Sequence, residues 1–150
     1  MQFLFQIIAA YVITITASIL VEAPKALLFK TGFCGTIGYA VYLLLLESLS
    51  APLATLLACM AMSAIGQIFA RWFKAPVTIF YIPSFFTLVP GAAIYQTAFH
   101  FIQGDNEVMA HYFIQALLTA GAIALGVYLV DSLLEIYFNI KRKVGRNAHE

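Results

Sequence analysis

The run VTIFYIPSFFTLVPGAAIYQTAFHF, residues Val77–Phe101, carries Pro83, Pro90 and Gly91 inside sequence apolar enough to lie in a membrane. A proline within a helix removes one backbone hydrogen bond, and its ring crowds the preceding turn. In hydrocarbon the freed groups cannot turn to water, so irregular backbone is tolerated only when buried in protein or lining a cavity. Ile82–Pro83 is expected to end or kink a first helical half. Val89–Pro90–Gly91 then starts a second half, with Pro90 in its first turn, a position proline tolerates well. The N–H groups around Gly91, Ala92 and Ala93 would point out of that helix end, whose partial positive charge favours a carboxylate. Gly91 removes bulk where a ligand approaches. Tyr95 and Gln96, about one turn on, and Ser84 and Thr87 before the break, add side-chain hydrogen-bonding groups. No Lys or Arg lies in this stretch, so an anion bound here would rely on backbone donors. The plain alternative is a proline-kinked helix that only packs.

Three ionisable residues are candidates for proton coupling: His100, Asp131 and Glu135. Acidic groups inside spans often mark proton or ion paths. Asp131 and Glu135 are four apart, hence on one helix face, and the competing reading places both in the interface where the last span leaves the bilayer. Glu47 reads as a wetted loop carboxylate. Catalysis has no support: there is no GxSxG, no HExxH and no phosphate-cradling glycine loop. Cys34 and Cys59 lie in apolar runs without CxxC spacing or a nearby His pair, and read as small buried hydrophobes. Neither an enzyme nor a metal, cofactor or nucleic-acid partner is expected.

The elements that must hold these groups follow from composition. Of 150 residues, 63% are hydrophobic and 10% charged, where a soluble domain has about 25% charged residues. With a mean hydropathy of +0.92, the chain reads as an all-α integral membrane protein forming a single transmembrane domain in the lipid bilayer. Five spans are expected, at about 3–21, 31–48, 52–70, 77–101 and 112–135, the fourth discontinuous at Pro83–Gly91. The first span covers nineteen residues, and a helix of that length runs roughly 28 Å, close to the hydrocarbon thickness. MQFLFQ lacks a basic n-region, so this segment reads as a retained span and not a signal peptide.

Lys25 and Lys30 fall between spans one and two, Arg71 and Lys74 between three and four, and Lys141, Arg142, Lys143 and Arg146 after span five. With five spans all eight cations share one face, and the other face carries only Glu47, Asp105 and Glu107. The positive-inside rule then puts the N-terminus outside and the C-terminus in the cytoplasm. Trp72, Phe73, Tyr112, Tyr137 and Phe138 fall near the expected boundaries, where aromatic rings favour the headgroup level. Small residues mark packing faces: Gly35 and Gly38 on span two, Ala54, Ala58, Gly66 and Ala70 on span three, and Ala116, Ala120, Ala124 and Gly121 on span five. Such faces serve packing within the chain or docking of another subunit, a second copy of the chain included.

The segments PKALLFKTGFCGTIGYAVYLLL and APLATLLACMAMSAIGQIFARWFKAPVTIFYIPSFFTLVPGAAIYQTAFHFIQGD resemble the threonine/serine exporter family, over about Glu22 to Asp105. ARWFKAPVTIF and IPSFFTLVPGAAIY carry most of the likeness, and the chain is most similar to the small membrane subunit of the split, two-component type. The resemblance implies a larger partner subunit bearing a cytoplasmic domain and five further spans. It also implies export across a bacterial inner membrane of a small carboxylate, either a dicarboxylate such as succinate or threonine and serine.

Overall fold

The computed structural model describes the backbone of residues 1–147 and the side chains of residues 1–137. The basic side chains of Lys141, Arg142, Lys143 and Arg146, together with Phe138, lie outside the described residues. Among the described residues there are six α-helices: α1 (Gln2–Leu20), α2 (Leu28–Leu46), α3 (Ala51–Phe73), α4 (Thr78–Phe85), α5 (Gly91–Gln103) and α6 (Asn106–Asn147). There is no strand among the described residues. Among the described residues, four segments are long and apolar enough to cross a membrane: Gln2–Leu20, Lys25–Leu46, Ala51–Phe73 and Asn106–Tyr137.

The helix ends have local causes. Pro52 sits in the first turn of α3, where its missing N–H costs nothing. Glu22, Lys74 and Gly104 each take a left-handed conformation just past a helix. In each case the next N–H reaches back into the last turn, as Asp105 N does to His100 O at 3.0 Å, which satisfies carbonyls the helix leaves open. The Asp105 carboxylate then caps α6 by accepting from Val108 N.

Close approach by small side chains holds the helices together. The buried stripe of α1 is Ala10, Thr14, Ala17 and Ser18, and that of α2 includes Thr31, Gly32, Cys34, Gly35 and Gly38. A Cβ on Gly35 would strike Thr14, and one on Gly38 would strike Met62 of α3. Gly126 of α6 lies against α3, where a Cβ would come within 2.8 Å of the Leu56 carbonyl oxygen. With lipid as apolar as the side chains, such packing takes the place of a hydrophobic driving force. Five buried hydroxyls need no partner helix: Thr14, Ser18, Thr31, Thr55 and Ser84 each donate to the carbonyl four residues back.

Two of the expected packing positions behave differently. Gly66 is buried but makes only ordinary contacts with Phe80 and Tyr81, at 3.6 Å. Gly121 faces open space, because it lies on the side of α6 turned away from α3, and Gly126 makes the close contact instead. The last helix also runs well past the expected 112–135, beginning at Asn106, so Tyr112 lies within it and stacks on His100.

The contacts along α3 fix direction. Thr55, Cys59 and Gln67 of α3 meet, in that order, Thr119, Gly126 and Asp131 of α6, so these two helices run parallel. Between them the chain returns: Phe80 packs on Phe69 and Phe73, Leu88 on Ala58, Cys59 and Met62, and Ala92 and Ala93 lie beside Ala51 and Thr55. Lys30 Nζ sits 3.6 Å from the Phe73 ring centroid, which brings the basic start of α2 and the basic end of α3 to one end of the bundle.

Candidate functional site

The helix interruption lies a little beyond where the prolines alone place it. Pro83 is buried inside α4, which continues to Phe85. One proline only removes its own N–H, and the helix tightens afterwards without stopping: Phe86, Thr87 and Leu88 N–H groups bond three residues back. The break therefore spans Phe86–Pro90. Pro90 is the residue before α5 and not part of its first turn, with φ −77° and ψ 51°. With Gly91 N donating to Val89 O at 2.8 Å, these angles form an inverse γ-turn that re-aims the chain into α5.

No side chain caps α5. Its first backbone bond is Ile94 N to Pro90 O, so the Ala92 and Ala93 N–H groups point out of the helix end without a backbone acceptor. On the other side of the break, the Thr87 and Leu88 carbonyls accept no backbone hydrogen bond. The positive end of one half-helix and the negative end of the other thus meet at one place.

A cavity of about 230 Å³ opens there, lined by Tyr39 and Tyr42 of α2, Ala51 and Thr55 of α3, and Thr87–Pro90 of the break. Ala92 and Ala93 of α5 and Gln115 and Thr119 of α6 complete the wall. It holds hydroxyls and an amide but no charged side chain. Pockets for drug-sized ligands run to roughly 300–1,000 Å³, so this one suits a smaller molecule.

Of the residues the sequence singles out, Thr87, Pro90 and Ala92 line this cavity. Ser84 does not; it is fully buried and donates to Phe80 O at 2.7 Å. Pro83 is buried in α4, and Gly91 is exposed with nothing near its missing Cβ. Tyr95 points away, 64% exposed and stacked on Phe99, while Gln96 is half-buried and forms no part of the wall. Sequence reasoning did not assign Tyr39, Tyr42, Thr55, Gln115 or Thr119 to the site. The legible sign was polar residues at i, i+3 (Tyr39 and Tyr42) and i, i+4 (Gln115 and Thr119) within apolar spans.

The three proton-coupling candidates part company. His100 lies at the far end of α5, stacked on Tyr112, with Nδ1 3.7 Å from Asp105 Oδ2. Glu135 is exposed. Asp131 is half-buried, and its Oδ1 accepts a 2.8 Å hydrogen bond from Gln67 Nε2 of α3. Cys34 and Cys59 are both buried and free.

A second, larger hollow of about 850 Å³ runs between α5 and α6 on the other side of the break. Its walls include Val89, Pro90, Ile94, Phe101, Phe113 and Ala120, and Thr97 is the one polar residue in an otherwise apolar lining.

Helices apolar enough to span a bilayer, surrounding a small uncharged polar cavity at an interrupted helix, define a membrane transport protein in architecture. The family model of the Threonine/Serine exporter, ThrE, matches residues 6–133, and the chain belongs to that family. Membership brings an exporter-type transport function. No curated protein and no solved structure matches the chain.

Proposed function

We propose that this chain is a membrane subunit of an inner-membrane exporter of small carboxylates, and that the 230 Å³ cavity at the α4–α5 break holds the substrate. One observation carries the reading: the residues whose N–H groups open α5 and those whose carbonyls stay free in the break line a cavity without charged side chains. A carboxylate sits at the α5 end, and an ammonium at the α4 end. That pairing favours a zwitterion such as threonine or serine over a dianion such as succinate, which would leave one carboxylate without a positive partner. The hydroxyls of Tyr39 and Tyr42 remain for the substrate side chain, while those of Thr55 and Thr119 donate within their own helices and can only accept.

In this reading α4 and α5 together complete a fifth crossing, with the N-terminus outside and the C-terminus in the cytoplasm. Their 8 and 13 residues supply about 32 Å of helix, enough for the hydrocarbon core, and the return path between parallel α3 and α6 supports it. The 850 Å³ hollow favours a second component. Here α5 packs chiefly on α6, and the irregular backbone at Val89–Pro90 borders the hollow, where lipid alone would leave polar groups unsatisfied. A larger membrane subunit covering this side would shield them; a second copy of the chain is the competing occupant.

Flux into sealed vesicles tests the proposal, with labelled threonine, serine and succinate offered in parallel to the chain alone and to the complex isolated from native membranes. Saturable threonine or serine flux by the complex only is the expected result. Succinate flux that outcompetes both would overturn the zwitterion assignment. Equal flux by the chain alone would overturn the subunit assignment.

A further inference from the structure

A hydrogen bond between two side chains joins α3 and α6 at the basic end of the bundle. Gln67 Nε2 of α3 donates to Asp131 Oδ1 of α6 at 2.8 Å. Gln67 is itself held from its own helix, where Arg71 Nη1 donates to its carbonyl oxygen at 2.8 Å. Arg71 and Trp72 mark the end of the apolar part of α3, so Gln67 and Asp131 lie about one turn inside that boundary. Tyr81 of α4 packs at Gly66, the residue next to Gln67. Glu135 lies one turn further along α6 and is exposed. The groups facing Asp131 are therefore an amide, a phenol, one guanidinium a turn away and one solvated carboxylate.

This surrounding suits a proton and not a metal cation. A single carboxylate with an amide N–H pointed at it offers no cage of oxygens, which hard cations require. A proton needs only the one carboxylate and a route. A hollow of about 280 Å³ lined by Gln67, Ile68, Arg71, Trp72 and Leu134 reaches the Gln67 side of the pair from the basic end.

We infer that Asp131 is the proton-binding carboxylate of the transport cycle and that its bond to Gln67 is a latch closing the cytoplasmic end of the α3–α6 seam. The inference rests on the exporter reading above. Ionised Asp131 accepts a charge-assisted bond, about twice as strong as a neutral one. A proton taken from water in the hollow forms an O–H bond on the carboxylate and removes its charge. The amide bond then weakens, and the seam between α3 and α6 is free to part. Loss of the same proton back to water restores the latch.

Two experiments on the complex from native membranes test this. In vesicles, Asp131→Asn keeps the side-chain shape and holds the position permanently uncharged, as the protonated carboxyl would be. It should preserve substrate exchange at equal pH within about two-fold while net flux driven by a pH gradient falls at least ten-fold, and Asp131→Glu should restore the gradient-driven flux. Normal gradient-driven flux in Asp131→Asn overturns the inference, as does equal loss of exchange and net flux in a variant that is inserted normally. Independently of transport, infrared difference spectra between high and low pH should contain a protonated-carboxyl band that is missing from Asp131→Asn. Identical spectra from both proteins overturn the inference even where flux is normal. A titrating Asp131 band in a complex that carries no substrate would sink the exporter reading and leave the proton site standing.

Discussion

The two ends of this bundle are built differently. At the basic end, Phe69, Phe73 and Phe80 pack ring against ring with centroids 5.7–6.2 Å apart, Lys30 lies over Phe73, and Gln67 bonds Asp131. At the opposite end, α5 has one main neighbour, and the break beside it is flanked by a polar cavity and a wide apolar hollow. Side chains that bury fully lie along α1–α4, whereas Ala93 is the one buried residue of α5. Rigidity concentrated at one end leaves the other free to bind and rearrange, because regions with few packed contacts open at little free-energy cost.

That contrast can be broken from the rigid side first. Phe80→Ala removes a fully buried ring from the aromatic cluster. It should destabilise the folded chain by roughly 2–3 kcal/mol, less than in a water-soluble core because lipid already solvates apolar groups. Unfolding in mixed detergent measures it. Next comes Gly38→Leu, whose side chain collides with Met62, and Gly126→Leu, which meets the Leu56 carbonyl oxygen. Overpacking there should cost about 1–3 kcal/mol in the same assay.

The open side sharpens the contrast by the opposite pattern, function lost with folding kept. Gln115→Leu withdraws one polar group from the cavity wall. A hydrogen bond to a charged partner contributes about 1.5–3 kcal/mol, so threonine flux should fall about ten- to a hundred-fold, with unfolding unchanged. Smallest of all are Tyr95→Ala and Gly91→Ala. Tyr95 faces away from the cavity and a Cβ on Gly91 meets open space. Each should leave flux within about two-fold, and Gly91→Ala should raise stability by up to about 1 kcal/mol through helix propensity. A large loss of flux in Tyr95→Ala would mean that the substrate path runs along the outer face of α5 and not through the cavity.

Much of this was legible in the residues. Spacing of apolar runs located α1, α2 and α3 to within a few residues, because each is long enough to span and is bounded by turn-forming or charged residues. The interruption before Gly91 was legible too, since two prolines and a glycine leave a helix little choice. Its extent was not. Pro83 costs one hydrogen bond and the neighbouring helices hold the turn in place, so the chain stays helical to Phe85. The wall of the cavity was harder to read, because Tyr39, Thr55 and Gln115 come together only through the crossing of α2, α3 and α6. Tyr95 and Gln96 looked near in sequence, yet the direction in which α5 leaves Pro90 turns them elsewhere. Asp131 and Glu135, alike by spacing, differ because only Asp131 falls opposite Gln67.

Gly126 gives the seam between α3 and α6 a fulcrum. It is pressed against α3 at Leu56 and Cys59, with no room for a side chain between the two helices there. Asp131 lies five residues beyond it and Thr119 seven before it on one continuous helix, lever arms of about 8 and 10 Å. A tilt that lifts the Asp131 arm away from Gln67 swings the Thr119 arm toward Thr55. A charge neutralised at one end would therefore be felt as a change of cavity width at the other, with no moving part between them but the stiffness of α6.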